Sequence, residues 1–195
     1  RAHRLLAAVL ELEAGLAPFL RGLLATPKRM ILRYDDSREV AGFSASKKAQ
    51  EYCRIGPATP DHLLHTKRLP CLVEASDPAD PVRTAEEAQK AIREWSRSYE
   101  RWVQRWNREG HRVEDLLPRV IIVRGLGMWA AGRDPRQARV VGDIYRHTIG
   151  IMGAAAGLGG FRSLSPREQF RAEYWELELY KRTLLPPEKE LARQV

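Results

Sequence analysis

The residues best suited to chemistry stand around one predicted helix start. Thr59 followed by Pro60 is typical of a helix N-terminus, because a threonine oxygen caps a backbone N–H and proline fits the first helical position. Asp61, His62 and Lys67 follow within eight residues. Backbone N–H groups at a helix start bind anions readily. We therefore predict that Thr59, Asp61, His62 and Lys67 bind a phosphate or similar substrate group; the alternative is that they only cap and pack their helix.

The five histidines do not make an obvious metal site. His62 and His65 are three residues apart, which places them one helical turn from each other. No third ligand accompanies them, and zinc sites generally use three or four ligands. We therefore predict no metal site here, favour local packing for His62, and assign no catalytic residue. Cys53 and Cys71 have no C-x-x-C partner, so we interpret them as buried apolar residues of a cytoplasmic chain.

A glycine-rich segment offers a weak nucleotide-binding pattern. A strand-like run is followed by Gly125-x-Gly127-x-x-Ala130, which matches a loose dinucleotide fingerprint. That fingerprint needs its glycines to open a helix, whereas the next helix start, Asp134-Pro135, comes four residues after the pattern ends. We favour two strands joined by a glycine bend.

Aromatic residues fall on one face of the clearest predicted helix. The helix opens with a capping box from Thr84 to Glu87. Its face carries Ala88, Ile92, Trp95, Tyr99, Trp102, Val103 and Trp106. Such a stripe could stack on nucleic-acid bases, but helical spacing more often marks a buried face, and we predict core. The net charge of +8 raises a basic nucleic-acid-binding domain as an alternative; since acidic residues interleave with the basic ones, nucleic acid is not the expected partner.

The remaining patterns predict an α/β domain. Residues 1–26 have the apolar spacing of an amphipathic helix. Short strands are predicted at 29–34, 69–75, 119–123 and 128–131. The Gly/Ala-rich residues 150–160 should end the helix that Asp134 opens, and a capping box at Ser165 opens a single final helix. No apolar run is long enough to cross a membrane.

Three strings carry a specific resemblance to a known family. They are residues 56–70 (GPATPDHLLHTKRLP), 118–133 (PRVIIVRGLGMWAAGR) and 138–149 (ARVVGDIYRHTI), followed by AEYW at 172–175. Together they resemble the middle region of bifunctional rhamnulose-1-phosphate aldolase/short-chain dehydrogenase proteins. The resemblance implies an α/β (α+β), class II aldolase/adducin-like fold with a small, mostly antiparallel sheet flanked by helices, a helical N-terminal arm and a C-terminal helix.

The resemblance also implies a degenerate copy of the aldolase. Active aldolases of this fold take zinc ligands from an H-T-H strand and from a later H-G-L-x-T-x-G element. Here Leu126 stands in place of the later histidine. The H-T-H position reads Glu74-Ala75-Ser76 or, in another alignment, ends at Lys67. This copy is therefore expected not to run zinc aldolase chemistry alone.

The implied role is that of a non-catalytic or accessory module within a longer enzyme. Residues 1–26 would continue an upstream aldolase domain, and residues 27–195 would form the central domain before a dehydrogenase. The parent would cleave rhamnulose 1-phosphate and oxidise lactaldehyde. Zinc and NAD are expected in the flanking domains and no cofactor in this segment. Those flanking domains are the expected partners, and a homo-oligomer is a further possible assembly. The alternative role is that the module contributes phosphate-binding residues to the parent's active site, namely Thr59, Asp61, His62 and Lys67.

Overall fold

A four-stranded sheet forms the centre of the molecule. The computed structural model describes residues 15–25, 29–113 and 115–183. Its strands are β1 (Ile31–Asp35), β2 (Cys71–Val73), β3 (Val120–Val123) and β4 (Gly127–Gly132). They lie in the order β1-β4-β3-β2. β4 pairs antiparallel with β1 and β3, and β2 pairs parallel with β3. The predicted small, mostly antiparallel sheet is confirmed.

Helices cover both faces of this sheet. The first described helix, α1, runs over residues 15–23. The others are α2 (Arg38–Ala45), α3 (Ala49–Tyr52), α4 (Pro60–Thr66), α5 (Pro81–Trp106), α6 (Pro135–Ala156), α7 (Pro166–Glu173) and α8 (Glu176–Thr183). None of the helices in the described part of the chain is long and apolar enough to cross a membrane.

The central strands are buried on both sides because their residues are apolar or small at every position. Every residue of β3 (VIIV) and of β4 (GMWAAG) is buried. One face of the sheet packs against α2, α3 and α6, with Val120, Ile122, Met128, Val141, Tyr145 and Ile149 in the core. The other packs against α1 and α5, with Leu16, Leu20, Leu24, Ala88, Ile92, Ile121, Val123 and Trp129. Burial of both faces produces a three-layer domain.

The aromatic stripe of α5 belongs to the core, as predicted. Tyr99 and Trp102 are only 5% and 6% exposed, and they pack against Phe170 and Tyr174 near α7. The indole N–H of Trp102 donates to the Pro166 carbonyl at 2.9 Å. The stripe is therefore not available for stacking on bases.

The glycine-rich segment is a bend between strands, as favoured from the sequence. Residues 124–126 form a turn between β3 and β4, and Gly125 takes a φ of 76°, which glycine adopts without steric cost. α6 begins later, where the Asp134 carboxylate accepts from the Gln137 N–H. The nucleotide fingerprint thus opens a strand rather than a helix.

The predicted start of α5 is wrong by four residues, since Asp80 and not Thr84 is the N-cap. Pro81 is the first helical residue, and the Asp80 carboxylate accepts hydrogen bonds from the backbone N–H groups of Val82 and Arg83. Thr84 is buried inside the helix and donates to the Asp77 carbonyl. An earlier cap with proline at the first position therefore takes precedence over the capping box.

The ends of two further helices can be compared with prediction. α6 continues to Ala156 and the chain turns at residues 157–159, so the predicted end of this helix within residues 150–160 is confirmed. The predicted single final helix is wrong, because α7 ends at Glu173 and α8 begins at Glu176; Tyr174, the C-cap of α7, is buried in stacked contact with Phe170. The capping box that opens α7 at Ser165 is confirmed.

The described part of the N-terminal helix packs on the sheet of this same domain. Leu16, Leu20 and Leu24, at four-residue spacing, are each 1% exposed or less. The first half of the predicted helix and the predicted boundary at residue 26 lie outside the described residues. Continuation of this helix from an upstream domain stays a prediction.

Close packing between β4 and α6 gives a test of the fold. A Cβ atom added at Gly132 would lie 2.2 Å from the backbone nitrogen of Ala138, which cannot move without shifting α6. We expect Gly132→Ala to lower the free energy of unfolding, measured by urea denaturation, by about 1–3 kcal/mol. As a matched control, Gly153→Ala in α6 meets no atom within 4 Å and should raise it by roughly 0.5–1 kcal/mol. Equal stabilities of the two variants would contradict this packing.

Candidate functional site

The position expected for metal ligands lies where β2 and β3 end side by side. Glu74 follows β2 and Arg124 follows β3, and the Arg124 N–H donates to the Val73 carbonyl at 3.0 Å. The Arg124 guanidinium binds both carboxylate oxygens of Glu74 in a bidentate ion pair. It also donates to the Ser46 carbonyl at 2.8 Å. One side chain thus ties together β2, β3 and the segment after α2.

The residues at this position do not fit a catalytic zinc ion. The hydrogen bonds from Arg124 lower the pKa of Glu74, so its carboxyl stays ionised. The positive charge of Arg124 pairs with this carboxylate. Ser76 is hydrogen-bonded to Glu87 through its backbone N–H and its hydroxyl. Leu126 offers no side-chain ligand, and its carbonyl accepts from the Tyr34 hydroxyl at 2.8 Å. Across residues 15–25, 29–113 and 115–183, no group of three or more His, Cys, Asp or Glu side chains could hold a metal ion.

Three of the four predicted phosphate-binding residues lie at the start of α4. Thr59 is the N-cap, as predicted, and its hydroxyl oxygen accepts from the His62 N–H at 3.4 Å. Asp61 is exposed in the first turn. A depression of about 320 Å³ borders this helix start, and Arg162 and Glu168 are the charged residues of its lining. Phosphate binding by Thr59, Asp61 and His62 stays a prediction.

Lys67 is not part of that group, and its predicted place at the helix start is wrong. α4 is only seven residues long, so Lys67 is its C-cap, with a φ of 59° that turns the chain away. Its ammonium donates to the carbonyl and the carboxylate of Asp115, at 2.8 and 2.9 Å. It also lies 4.5 Å from the ring centre of Tyr99.

Asp115 joins Lys67 and Arg119 in a nearly buried ionic cluster. The three side chains are 14%, 10% and 15% exposed. Burial, assisted by the charge of Arg119, lowers the pKa of Lys67 from 10.5 to about 8. Burial alone would raise the pKa of Asp115, but the charges and hydrogen bonds of Lys67 and Arg119 hold it well below its usual value. The cluster anchors residues 115–119 to the end of α4, so Lys67 has a structural role.

His62 meets a partner that sequence spacing does not indicate. Its Nδ1 lies 3.1 Å from the hydroxyl oxygen of Thr148 in α6. Its ring also contacts that of His147, with 6.1 Å between ring centres. Burial, followed by the charge of His147, lowers the pKa of His62, while Asp61 acts in the opposite direction. The structure therefore pairs His62 with α6.

The ionic cluster predicts a pH-dependent stability. A carboxyl whose pKa is depressed on folding stabilises the fold above its unfolded pKa, near 3.8 for Asp115, and loses this contribution as pH falls below that value. At pH 7, Asp115→Asn should lower the free energy of unfolding by about 3–5 kcal/mol, because it leaves two buried cations without a counter-charge.

Urea denaturation from pH 7 to pH 3 measures this effect. The gap between wild type and Asp115→Asn should be constant down to about pH 5 and narrow below pH 4. The exposed Glu100→Gln variant should stay within about 0.5 kcal/mol of wild type. A gap that is absent at pH 7, or that persists unchanged at pH 3, would contradict the cluster's role.

Comparisons with known proteins agree with this architecture. Over 186 residues, 95% of the chain, the sequence is 38% identical to YuxG of Bacillus subtilis, named an uncharacterized oxidoreductase; the chain spans only 27% of YuxG. The fold resembles YgbL of Klebsiella pneumoniae, named a candidate aldolase, epimerase or decarboxylase. The TM-score between the two structures is 0.54 at 17% sequence identity, and the match covers 80% of this chain and 63% of YgbL. That likeness shows the fold alone. The family model for the second domain of class II aldolases matches residues 11–181, and the chain belongs to this family.

Proposed function

We propose that this chain is a non-catalytic, aldolase-like module of a longer sugar-phosphate enzyme that combines a class II aldolase with a short-chain dehydrogenase. The observation that carries the proposal is the replacement of the metal ligands. The fold is that of a class II aldolase, yet its ligand positions hold Leu126 and a Glu74 that is paired with Arg124. Zinc aldolases need their metal to stabilise the enediolate that forms when the carbon–carbon bond breaks.

The comparisons support a place within a larger protein. The chain spans about a quarter of YuxG, whose name describes an oxidoreductase. Such a name fits a parent with a dehydrogenase domain, and class II aldolase membership fits an aldolase partner. In this proposal NAD and a catalytic zinc ion belong to the other domains. The module packs against them and positions the two active sites.

The alternative, that the module lends phosphate-binding groups to the parent's active site, has less support. Lys67, the strongest cation of the predicted set, is held by Asp115 at the opposite end of α4. One amide at the helix start, that of His62, is already capped by Thr59. Of the four predicted residues, Asp61 and His62 are the two whose side chains could still contact a ligand at the start of α4.

An aldolase assay of the 195-residue protein tests the proposal. With rhamnulose 1-phosphate and Zn²⁺, we expect no release of dihydroxyacetone phosphate above the rate in buffer, measured by coupled NADH oxidation. The reason is that the described residues include no group of three or more side chains that could hold the metal. Arg124→Ala, which frees Glu74, should be equally inactive, since Leu126 still supplies no ligand. A class II aldolase provides the positive control. Protein-dependent cleavage would overturn the non-catalytic assignment.

A further inference from the structure

Four arginines form a stripe along the outer face of α5. Arg93, Arg97, Arg101 and Arg105 follow one another at four-residue spacing, so they lie next to one another on successive turns of the helix. All four side chains are exposed. At a helical rise of roughly 1.5 Å per residue, the stripe is about 18 Å long.

The opposite face of α5 fixes the helix to the rest of the domain. Ala88 and Ile92 lie in the core that covers the sheet, and Tyr99 and Trp102 pack in the aromatic cluster near α7. Both halves of this 26-residue helix are therefore held in place, and the stripe faces away from the core. A partner that binds the stripe does not have to order the helix first.

The domain does not use the stripe for its own ion pairs. Within the residues that the structure describes, the guanidinium groups of Arg93, Arg97 and Arg101 make no hydrogen bond or ion pair. By contrast, Arg119 and Arg124 are each paired with a carboxylate. Guanidinium groups bind carboxylates and phosphates through two parallel hydrogen bonds. An open row of them is therefore suited to an anionic partner.

Acidic residues within the same face favour one kind of anion. Glu94 and Glu100 are exposed, and each lies three residues from Arg97 on the surface of the helix. A nucleic acid presents phosphates continuously and would bring them against both glutamates. A protein segment can place its acidic residues against the arginines and other residues against the glutamates. Base stacking adds nothing here, because the aromatic stripe of α5 is in the core.

We propose that the outer face of α5 docks an acidic protein segment whose carboxylates meet Arg93, Arg97, Arg101 and Arg105. Carboxylates at four-residue spacing on a partner helix advance by the same distance, roughly 6 Å for each step. The proposal does not depend on an aldolase or dehydrogenase elsewhere in a parent protein. Its failure would leave the proposed non-catalytic role untouched, and the converse also holds.

Fluorescence anisotropy with a labelled glutamate dodecapeptide tests the surface. The 195-residue protein should bind this peptide in about 50 mM NaCl and more weakly as salt is added. The triple variant Arg93→Gln, Arg97→Gln and Arg101→Gln should bind it at least tenfold more weakly. Since these three side chains are exposed, the variant should unfold at the same urea concentration as wild type. Absence of binding by wild type, or full affinity in the variant, would overturn the proposal.

A matched triple variant separates this surface from attraction to the net charge of +8. Arg38→Gln, Arg54→Gln and Arg136→Gln remove the same number of exposed charges, in or beside α2, α3 and α6 on the other face of the sheet. Their combined effect on peptide affinity should be less than threefold. Equal losses in the two triple variants would show that only net charge attracts the peptide, and would overturn the docking surface.

A DNA duplex of twelve base pairs tests the choice of partner. Wild type should bind it more weakly than the peptide at the same salt concentration, because the phosphates meet Glu94 and Glu100. Replacing both residues, by Glu94→Gln and Glu100→Gln, should strengthen duplex binding at least fivefold. Tighter binding of the duplex than of the peptide by wild type, or no gain in the glutamine variant, would contradict the assignment of an acidic protein partner.

Discussion

Burial of the sheet on both faces is the constraint on which the rest of the structure depends. Because the side chains of β3 and β4 are apolar or small on both faces of the sheet, each face must be covered by a layer of helices. α6 supplies one layer and α1 with α5 the other. The same packing sets α4 against α6 and brings His62 to Thr148. The contact between His62 and Thr148 therefore follows from the packing of helices over an apolar sheet face.

An ion pair lies at the edge of this framework, where β2 and β3 end. The Arg124 guanidinium binds the Glu74 carboxylate, and Leu126 stands at the bend between β3 and β4. The ion pair links three chain segments. A second ionic cluster, around Asp115, fastens the end of α4. Both clusters use cations to hold separate chain segments together.

Local patterns in the sequence were sufficient for most elements. The run of β-branched residues before Gly125 predicts β3, and the glycines that follow predict its bend. Thr59-Pro60 predicts the start of α4, and the aromatic periodicity predicts the buried face of α5. Each of these signals acts within a few residues, where backbone geometry and local hydrogen bonding decide the outcome.

The errors arise where two local signals compete or where distant contacts decide the outcome. Asp80 and Thr84 are both chemically valid caps, and the bond from Thr84 to Asp77 shows which one is used. Spacing alone places Lys67 near His62, whereas the short helix and a left-handed turn send it to Asp115. Thr148 is 86 positions from His62, so only the packing of α6 on α4 reveals the pair.

Anomalous scattering at the zinc edge, from a crystal of the protein exposed to Zn²⁺, tests the central claim most directly. The claim is that the aldolase metal position is closed by Glu74 and Arg124 in a fold that is otherwise preserved. The account predicts no zinc peak beside Glu74 and Leu126, and an intact ion pair there. A well-ordered zinc ion at that position, with Glu74 turned away from Arg124 to bind it, would contradict the account.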